Sequence, residues 1–276
     1  MKYFDYKTKN IVIEKENSSL KFLYNSVLGR AILKLLINRH IVKIYAKIES
    51  SAFSKFKIKK FVKKNNINLD EYEEKKYKSF NEFFIRKIKK GKRIIEDGFI
   101  SPCDAKLSVY KINEDLSLNI KNSIYTLDEL VNENTTSFKG GYCLVYRLCV
   151  DDYHRYIYPF DGVTLNKKHI NGKLHTVQPI ALKKYKVFKE NDREITLVKS
   201  DTYGKVYIIE VGAMMIGKIV NEDKKTFKKG EEKGHFEFGG STIIYLFENK
   251  IKINKIFLEN TKKDIETIVK MGTNLE

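Results

Sequence analysis

The chain has 276 residues and a mass of 32.4 kDa, long enough to bury a substantial core without disulfide or metal staples. With 42% hydrophobic and 32% charged residues it is not a disordered chain, and it contains no run of about 18 apolar residues from which a spanning helix could be built. The net charge of +18 is unevenly placed: residues 1–95 carry 25 Lys and Arg against 9 Asp and Glu, whereas residues 96–276 carry 28 against 26.

A basic third of this kind attracts polyanions, either nucleic acid or the anionic face of a membrane. No zinc finger, RNA-recognition aromatic motif or basic zipper accompanies the charge, so no nucleic-acid partner is expected. Cys103, Cys143 and Cys149 cannot close a disulfide framework and share no metal-ligand spacing, which points to a reducing compartment and no metal site. The opening MKYFDYKTKN lacks the apolar core of a signal peptide.

Along the chain, residues 24–48 place Val27, Leu28, Ile32, Leu35, Leu36, Ile41, Ile44 and Tyr45 at spacings of three to five, which predicts a helical apolar stripe. Arg30, Lys34, Arg39, Lys43 and Lys47 fill the polar side. Such a stripe either packs on its own domain or lies in a membrane interface with its lysines among the headgroups. A second helix is predicted over 54–65. From about residue 98 short runs rich in Val, Ile and Tyr recur, among them LSVYKI, YCLVYRLCV, KVYIIEV and STIIYLF, separated by Gly, Asn and Asp clusters. The expected class is α+β: basic N-terminal helices over residues 1–95, then a β-rich, barrel- or sandwich-like catalytic body of mainly antiparallel strands over residues 96–276. Residues 219–235 read as a long polar turn region.

That region leads into GEEKGHFEFGGSTIIYLF (230–247), where a predicted strand at His235–Phe238 runs into Gly239-Gly240-Ser241-Thr242 and a second apolar strand. Glycines in a strand path weaken it unless the backbone needs an unusual conformation or a close approach. By itself the triplet fits a bulge or hairpin with an ordinary serine.

The order of motifs adds to this. SPCDA (101–105), DYHR (152–155), NGKLHTVQP (171–179), NDR (191–193), VGAMMIG (211–217) and KGEEKGHFEFGGST (229–242), preceded by YNSVLGR (24–30) and SFNEFFIRKIK (79–89), together resemble the phosphatidylserine decarboxylases over about residues 20–260. The resemblance implies a zymogen that cuts itself between Gly240 and Ser241 into pieces 1–240 and 241–276. The Ser241 hydroxyl attacks the preceding carbonyl, the resulting ester is lost by β-elimination, and hydrolysis leaves a pyruvoyl group in place of Ser241. That covalent cofactor then forms a Schiff base with the serine headgroup of phosphatidylserine and accepts electrons as carbon dioxide leaves, giving phosphatidylethanolamine. No other cofactor and no metal is implied.

The resemblance also assigns Asp104 (in SPCDA), His154 (in DYHR) and Ser241 to a charge-relay set. Two departures stand out. Ile157 occupies the place of a second histidine found in many relatives, so proton transfer falls to His154, with Tyr156 and Tyr158 as candidate helpers. Gly239 stands where others have Leu or Phe and adds backbone freedom. His235 lies near the scissile bond, while His40, His169 and His175 read as solvated, strand or turn residues. The implied setting is the cytoplasmic face of the cell membrane, with the enzyme peripheral on anionic lipid, its short piece retained, and a homodimer compatible with the resemblance. The alternatives are a membrane-binding relative without activity and a decarboxylase of another serine-headed lipid.

Overall fold

The computed structural model describes residues 1–14, 18–74, 76–121, 123–214, 218–239 and 241–276, apart from the side chain of Arg39. Gly240, the expected cleavage glycine, and 215–217 of the VGAMMIG motif lie outside the described residues.

The predicted apolar stripe is divided among three helices, α1 (Ser18–Asn25), α2 (Val27–Leu36) and α3 (Arg39–Glu49). Polar caps make the breaks. Ser26 Oγ accepts from Gly29 N at 2.8 Å, and Asn38 Oδ1 accepts from His40 N at 2.9 Å. Gly29 is required where it stands, because a Cβ there would lie 2.1 Å from the Phe22 carbonyl oxygen of α1. Most of the stripe faces outward: Val27, Leu28, Ile32, Leu35, Ile41 and Ile44 are exposed, while Tyr24, Leu33 and Val42 turn inward. The second predicted helix appears as α4 (Lys57–Lys64), and α5 (Phe80–Phe84) follows with Ser79 as its cap.

Fifteen strands occur among the described residues: β1 (Lys2–Asp5), β2 (Ile11–Ile13), β3 (Ala105–Lys111), β4 (Ser117–Ile120), β5 (Ser123–Thr126), β6 (Tyr142–Leu148), β7 (Arg155–Ile157), β8 (Gly162–Ile170), β9 (Arg193–Ser200), β10 (Gly204–Gly212), β11 (Ile219–Asn221), β12 (Thr226–Phe227), β13 (Glu232–Phe236), β14 (Ser241–Phe247) and β15 (Glu266–Val269). Ten of them form one open sheet in the order β12-β8-β9-β10-β14-β6-β3-β15-β1-β2. Every pairing in it is antiparallel except β1 with β15. The body is therefore α+β and sandwich-like, and the sheet does not close into a barrel. Residues 2–5 and 11–13 of the basic third join this sheet as strands. The expected polar turn at 219–235 contains strands, because β11 pairs with β13 and β13 with β7 in a second, three-stranded sheet.

The central strands are buried on both faces, which accounts for their nearly continuous apolar runs. All seven residues of β14 are buried. A buried ion pair joins the two sheets. Lys233 Nζ of β13 lies 2.6 Å from Glu210 Oε1 of β10, and neither side chain is more than 1% exposed. Lys233 also donates to Asn221 Oδ1 at 3.1 Å, and Asn221 Nδ2 donates to Glu194 Oε2 at 2.7 Å.

Removing one partner of such a pair leaves an uncompensated charge in the core. Lys233→Met should cost about 3–5 kcal/mol in urea unfolding, and adding Glu210→Leu should recover much of that loss. Equal stability for the single and double variants would show that the pair does not join the sheets.

Candidate active site

The register of the large sheet gathers one row of residues at one end. Ser241, the first residue of β14, lies opposite Gly212 of β10 and Leu148 of β6. One step inward, Arg147 of β6 faces both Thr242 of β14 and Lys106 of β3, and Val269 of β15 faces Ala105. Asp104 therefore enters β3 at the same end as Ser241, two strand spacings away, or roughly 10 Å. The turn that carries Asp152 and His154 leaves β6 a few residues beyond Leu148.

His154 is fully buried. Its Nδ1 lies 2.9 Å from the Asp152 carbonyl oxygen. A carbonyl only accepts, so Nδ1 carries the proton and Nε2 presents its lone pair. Nε2 is buried and has no hydrogen-bond partner among the described residues, and the same is true of Ser241 Oγ. Among the described residues the site thus holds an acceptor and a donor that no hydrogen bond of normal geometry engages, with the Gly239 backbone close enough to act on the ring. The Phe84 ring of α5 covers the imidazole at 4.2 Å and packs on Phe238 at 5.1 Å. Phe236 N donates to the His154 carbonyl at 3.0 Å, and Phe238 N donates to Asn81 Oδ1 of α5 at 3.1 Å. These contacts carry the chain past His154 just before Ser241. Gly239 there has φ +141°, a conformation open to glycine and rarely to other residues. Gly239 thus permits a particular backbone path as well as adding freedom.

Burial pushes the His154 pKa down to about 4, and Arg86 adds to this; the Asp152 carbonyl and the backbone at Gly239 oppose it. Burial alone would raise the Asp104 carboxyl, but Lys270, Arg93 and the Met271 N–H outweigh burial and hold it below the usual carboxylate range. Asp104 Oδ2 accepts from Lys270 Nζ at 2.9 Å and from Arg93 Nη2 at 3.1 Å, and Oδ1 accepts from Met271 N at 2.8 Å. The SPCDA turn is tied to the same C-terminal segment, because Ser101 N donates to the Thr273 carbonyl and Gly272 N to the Ser101 carbonyl. The hydrogen bonds of Asp104 and His154 run to these partners and not to each other. The Asp152 carboxylate accepts from Cys149 N at 2.8 Å and lies 3.7 Å from Lys106 Nζ, and burial raises its pKa despite that cation.

The remaining expected residues lie as follows. Ile157 is buried in β7 and donates its N–H to the Pro102 carbonyl. The Tyr156 hydroxyl donates to Asn221 Oδ1 at 2.9 Å, and Tyr158 stacks on Phe227 at 3.8 Å, so the contacts of both tyrosines point away from His154. His235 sits in β13 opposite Arg155, and burial lowers its pKa to about 4. His40 is exposed on α3. His169 lies 3.3 Å from Asp192 Oδ1 on a partly exposed strand. His175 is buried. Its Nδ1 is 3.3 Å from the Tyr24 hydroxyl, and its backbone is clamped by Asn191, which also donates to the Gly212 carbonyl at 2.7 Å. Arg93, Lys270, Asn81 and Phe84 have places in the site that the sequence reading did not assign. Asn81 and Phe84 belong to SFNEFFIRKIK, so a signal for them was present, whereas Lys270 stands in a segment with no recognised motif.

The profile of the family described as phosphatidylserine decarboxylase matches residues 80–275. A phosphatidylserine decarboxylase proenzyme 2 from Clostridium acetobutylicum is 50% identical over 281 residues, covering 99% of this chain and 97% of the relative. Phosphatidylserine decarboxylase proenzymes from Clostridium kluyveri and Fusobacterium nucleatum are 40% and 38% identical, covering 100% and 99% of this chain and 98% and 96% of theirs. The class is that of carboxy-lyases made as proenzymes. This chain belongs to the phosphatidylserine decarboxylase family.

In a Ser241→Ala chain, NMR titration of the His154 ring should show protonation near pH 4 instead of near the ordinary value of 6.5. The unfolded chain takes up that proton first, so stability present above 6.5 should be lost as pH falls toward 4, by about 3 kcal/mol. A midpoint near 6.5 would mean that the ring is solvated.

Proposed function

We infer that this chain is a self-processing phosphatidylserine decarboxylase that cuts itself between Gly240 and Ser241 and works through a pyruvoyl group formed from Ser241. The observation that carries the reading is the pair of buried atoms without a hydrogen-bond partner among the described residues, His154 Nε2 and Ser241 Oγ, beside a backbone that reaches Ser241 through Gly239. In this reading His154 Nε2 takes the Oγ proton as Oγ bonds to the Gly240 carbonyl carbon. The Gly240–Ser241 C–N bond breaks, and the proton passes to the Ser241 nitrogen. Loss of the Ser241 α-proton then expels the Gly240 carboxylate from Cβ, and water replaces the nitrogen, which leaves as ammonia. Asp104, a buried carboxylate at the same end of the sheet, favours the transient imidazolium.

The residues at the start of β14 suit a pyruvoyl group. Ser241 is buried, its Oγ has no hydrogen-bond partner among the described residues, and its strand is held by β10 and β6, which would fix a carbonyl there and keep water away. When present, the group supplies an electron sink for the bond broken in decarboxylation. Phe84 and Phe238 exclude water around His154, which remains available to hold or deliver a proton.

The substrate in this reading is phosphatidylserine in an anionic membrane, approached from the cytoplasmic face by a peripheral enzyme. Two features support it. Among the described residues no helix is long and apolar enough to cross a membrane. The outward face of α2 and α3 exposes Val27, Leu28, Leu35 and Ile44 with Lys34, Lys43 and Lys47, the composition of a helix face that lies in a headgroup layer.

Intact-mass analysis should give two products, 1–240 and 241–276, the smaller without an amine terminus, and Ser241→Ala should give one 32.4 kDa chain. His154→Gln should slow cleavage by roughly 10²–10⁴-fold. An uncleaved wild-type chain that still turns over lipid would overturn the assignment. Replacing Lys34, Lys43 and Lys47 by Glu should weaken flotation with anionic vesicles at low salt and leave cleavage unaffected; unchanged flotation would remove the docking role.

A further inference from the structure

Asp104 is one of the most deeply buried carboxylates in the chain, 1% exposed, and it is gripped from two directions. Arg93 reaches it from the segment before β3, but that guanidinium is shared, its Nη1 lying 2.7 Å from Glu71 Oε2. Lys270 reaches it from the end of β15, its side chain half exposed and its ammonium directed inward to 2.9 Å from Oδ2. The neighbouring Met271 N–H takes the other carboxylate oxygen. Lys270 also feels the charge of Asp152, whose carbonyl holds the His154 ring. The ammonium thus feels both carboxylates, and the hydrogen bonds that Lys270 and Met271 make to Asp104 both come from the 241–276 piece.

We propose that Lys270 is a positioning residue for self-cleavage: its ammonium fastens the Asp104 carboxylate at the end of the sheet that carries Ser241. The inference rests on the reading that Asp104 and His154 act in the cleavage at Ser241. The charged and titratable groups against Asp104 are Arg93 with Glu71 behind it, the buried Cys103 thiol beside it, and Lys270 just after β15; Asp152, whose charge reaches Lys270 and Cys103, has its own cation in Lys106 of β3. Without Lys270, the carboxylate would keep the Met271 N–H but only one cation, an arginine divided with Glu71. Burial would then raise its proton affinity. The acid limb of cleavage, set by His154 in the native chain, would pass to Asp104 and move to higher pH.

The full chain, collected in denaturant as it is synthesised, can be refolded by dilution at a series of pH values and its cleavage followed on a denaturing gel. Lys270→Met should move the acid limb upward, slowing cleavage below the limb about tenfold per unit of displacement, while the rate on the alkaline plateau stays near native. Lys270→Arg, which keeps the cation, should restore the native limb. If Lys270→Met fails to refold, Lys270→Gln gives the same readout with a polar side chain in place. A native pH profile in Lys270→Met or Lys270→Gln, with cleavage abolished in Asp104→Asn, would overturn the role of Lys270 and leave that of Asp104 standing. Cleavage at the native rate in Asp104→Asn would overturn the underlying reading and this inference with it. A merely structural role for Lys270 would lower the melting temperature without displacing the limb, and that result also counts against the proposal.

Discussion

A slip of one residue in β14 would turn Ser241 to the other face of the sheet and put Thr242 in its place. The register against β10 and β6 prevents this, with seven paired positions on each side running from Ser241 to Phe247. Because all seven side chains are buried, any shift would exchange the two packed faces of the strand at once. The same register places Leu148 beside Ser241, and from Leu148 the chain has only a short distance to run before it reaches His154. The site geometry is thus a product of strand pairing in the core, and the loops only complete it.

The charge asymmetry of the sequence has a spatial counterpart. The basic third contributes two strands to the far edge of the sheet and otherwise folds as short capped helices whose apolar residues largely face outward. Part of this third also builds the site from within. Asn81 and Phe84 of α5 hold the segment before Ser241, and Arg93 reaches Asp104. One stretch of chain therefore touches both the surface suited to lipid and the side chains suited to chemistry.

Much of this could be read from residues alone. Runs such as KVYIIEV and STIIYLF became the central strands because β-branched and aromatic side chains suit a sheet buried on both faces. The choice of Asp104, His154 and Ser241 came from the ordered motifs and not from composition or periodicity, and their arrangement at one end of the sheet comes from strand register. What remained hidden depends on three-dimensional register. Local spacing gives no sign that 219–235 pairs as strands, because Lys, Glu and Asp obscure the alternation while Ile219, Phe227 and Lys233 are buried by partners distant in sequence. The caps at Ser26 and Asn38 break a stripe that is periodic on paper. Nor could spacing show that the imidazole is held by a backbone carbonyl two residues away, with the Asp104 carboxylate engaged by Arg93 and Lys270.

The strands of the 241–276 segment are interleaved with those of the rest of the chain. β14 lies between β10 and β6, β15 lies between β3 and β1, and Glu266 of β15 holds Arg147 of β6 through a buried two-point ion pair. Once severed, such a segment has no route out that does not tear open the middle of the sheet. The mature molecule would therefore behave as a single body until it denatures. After that it would be two strangers in solution, and recovery would become a second-order encounter that slows with dilution, whereas the uncut precursor could refold by itself.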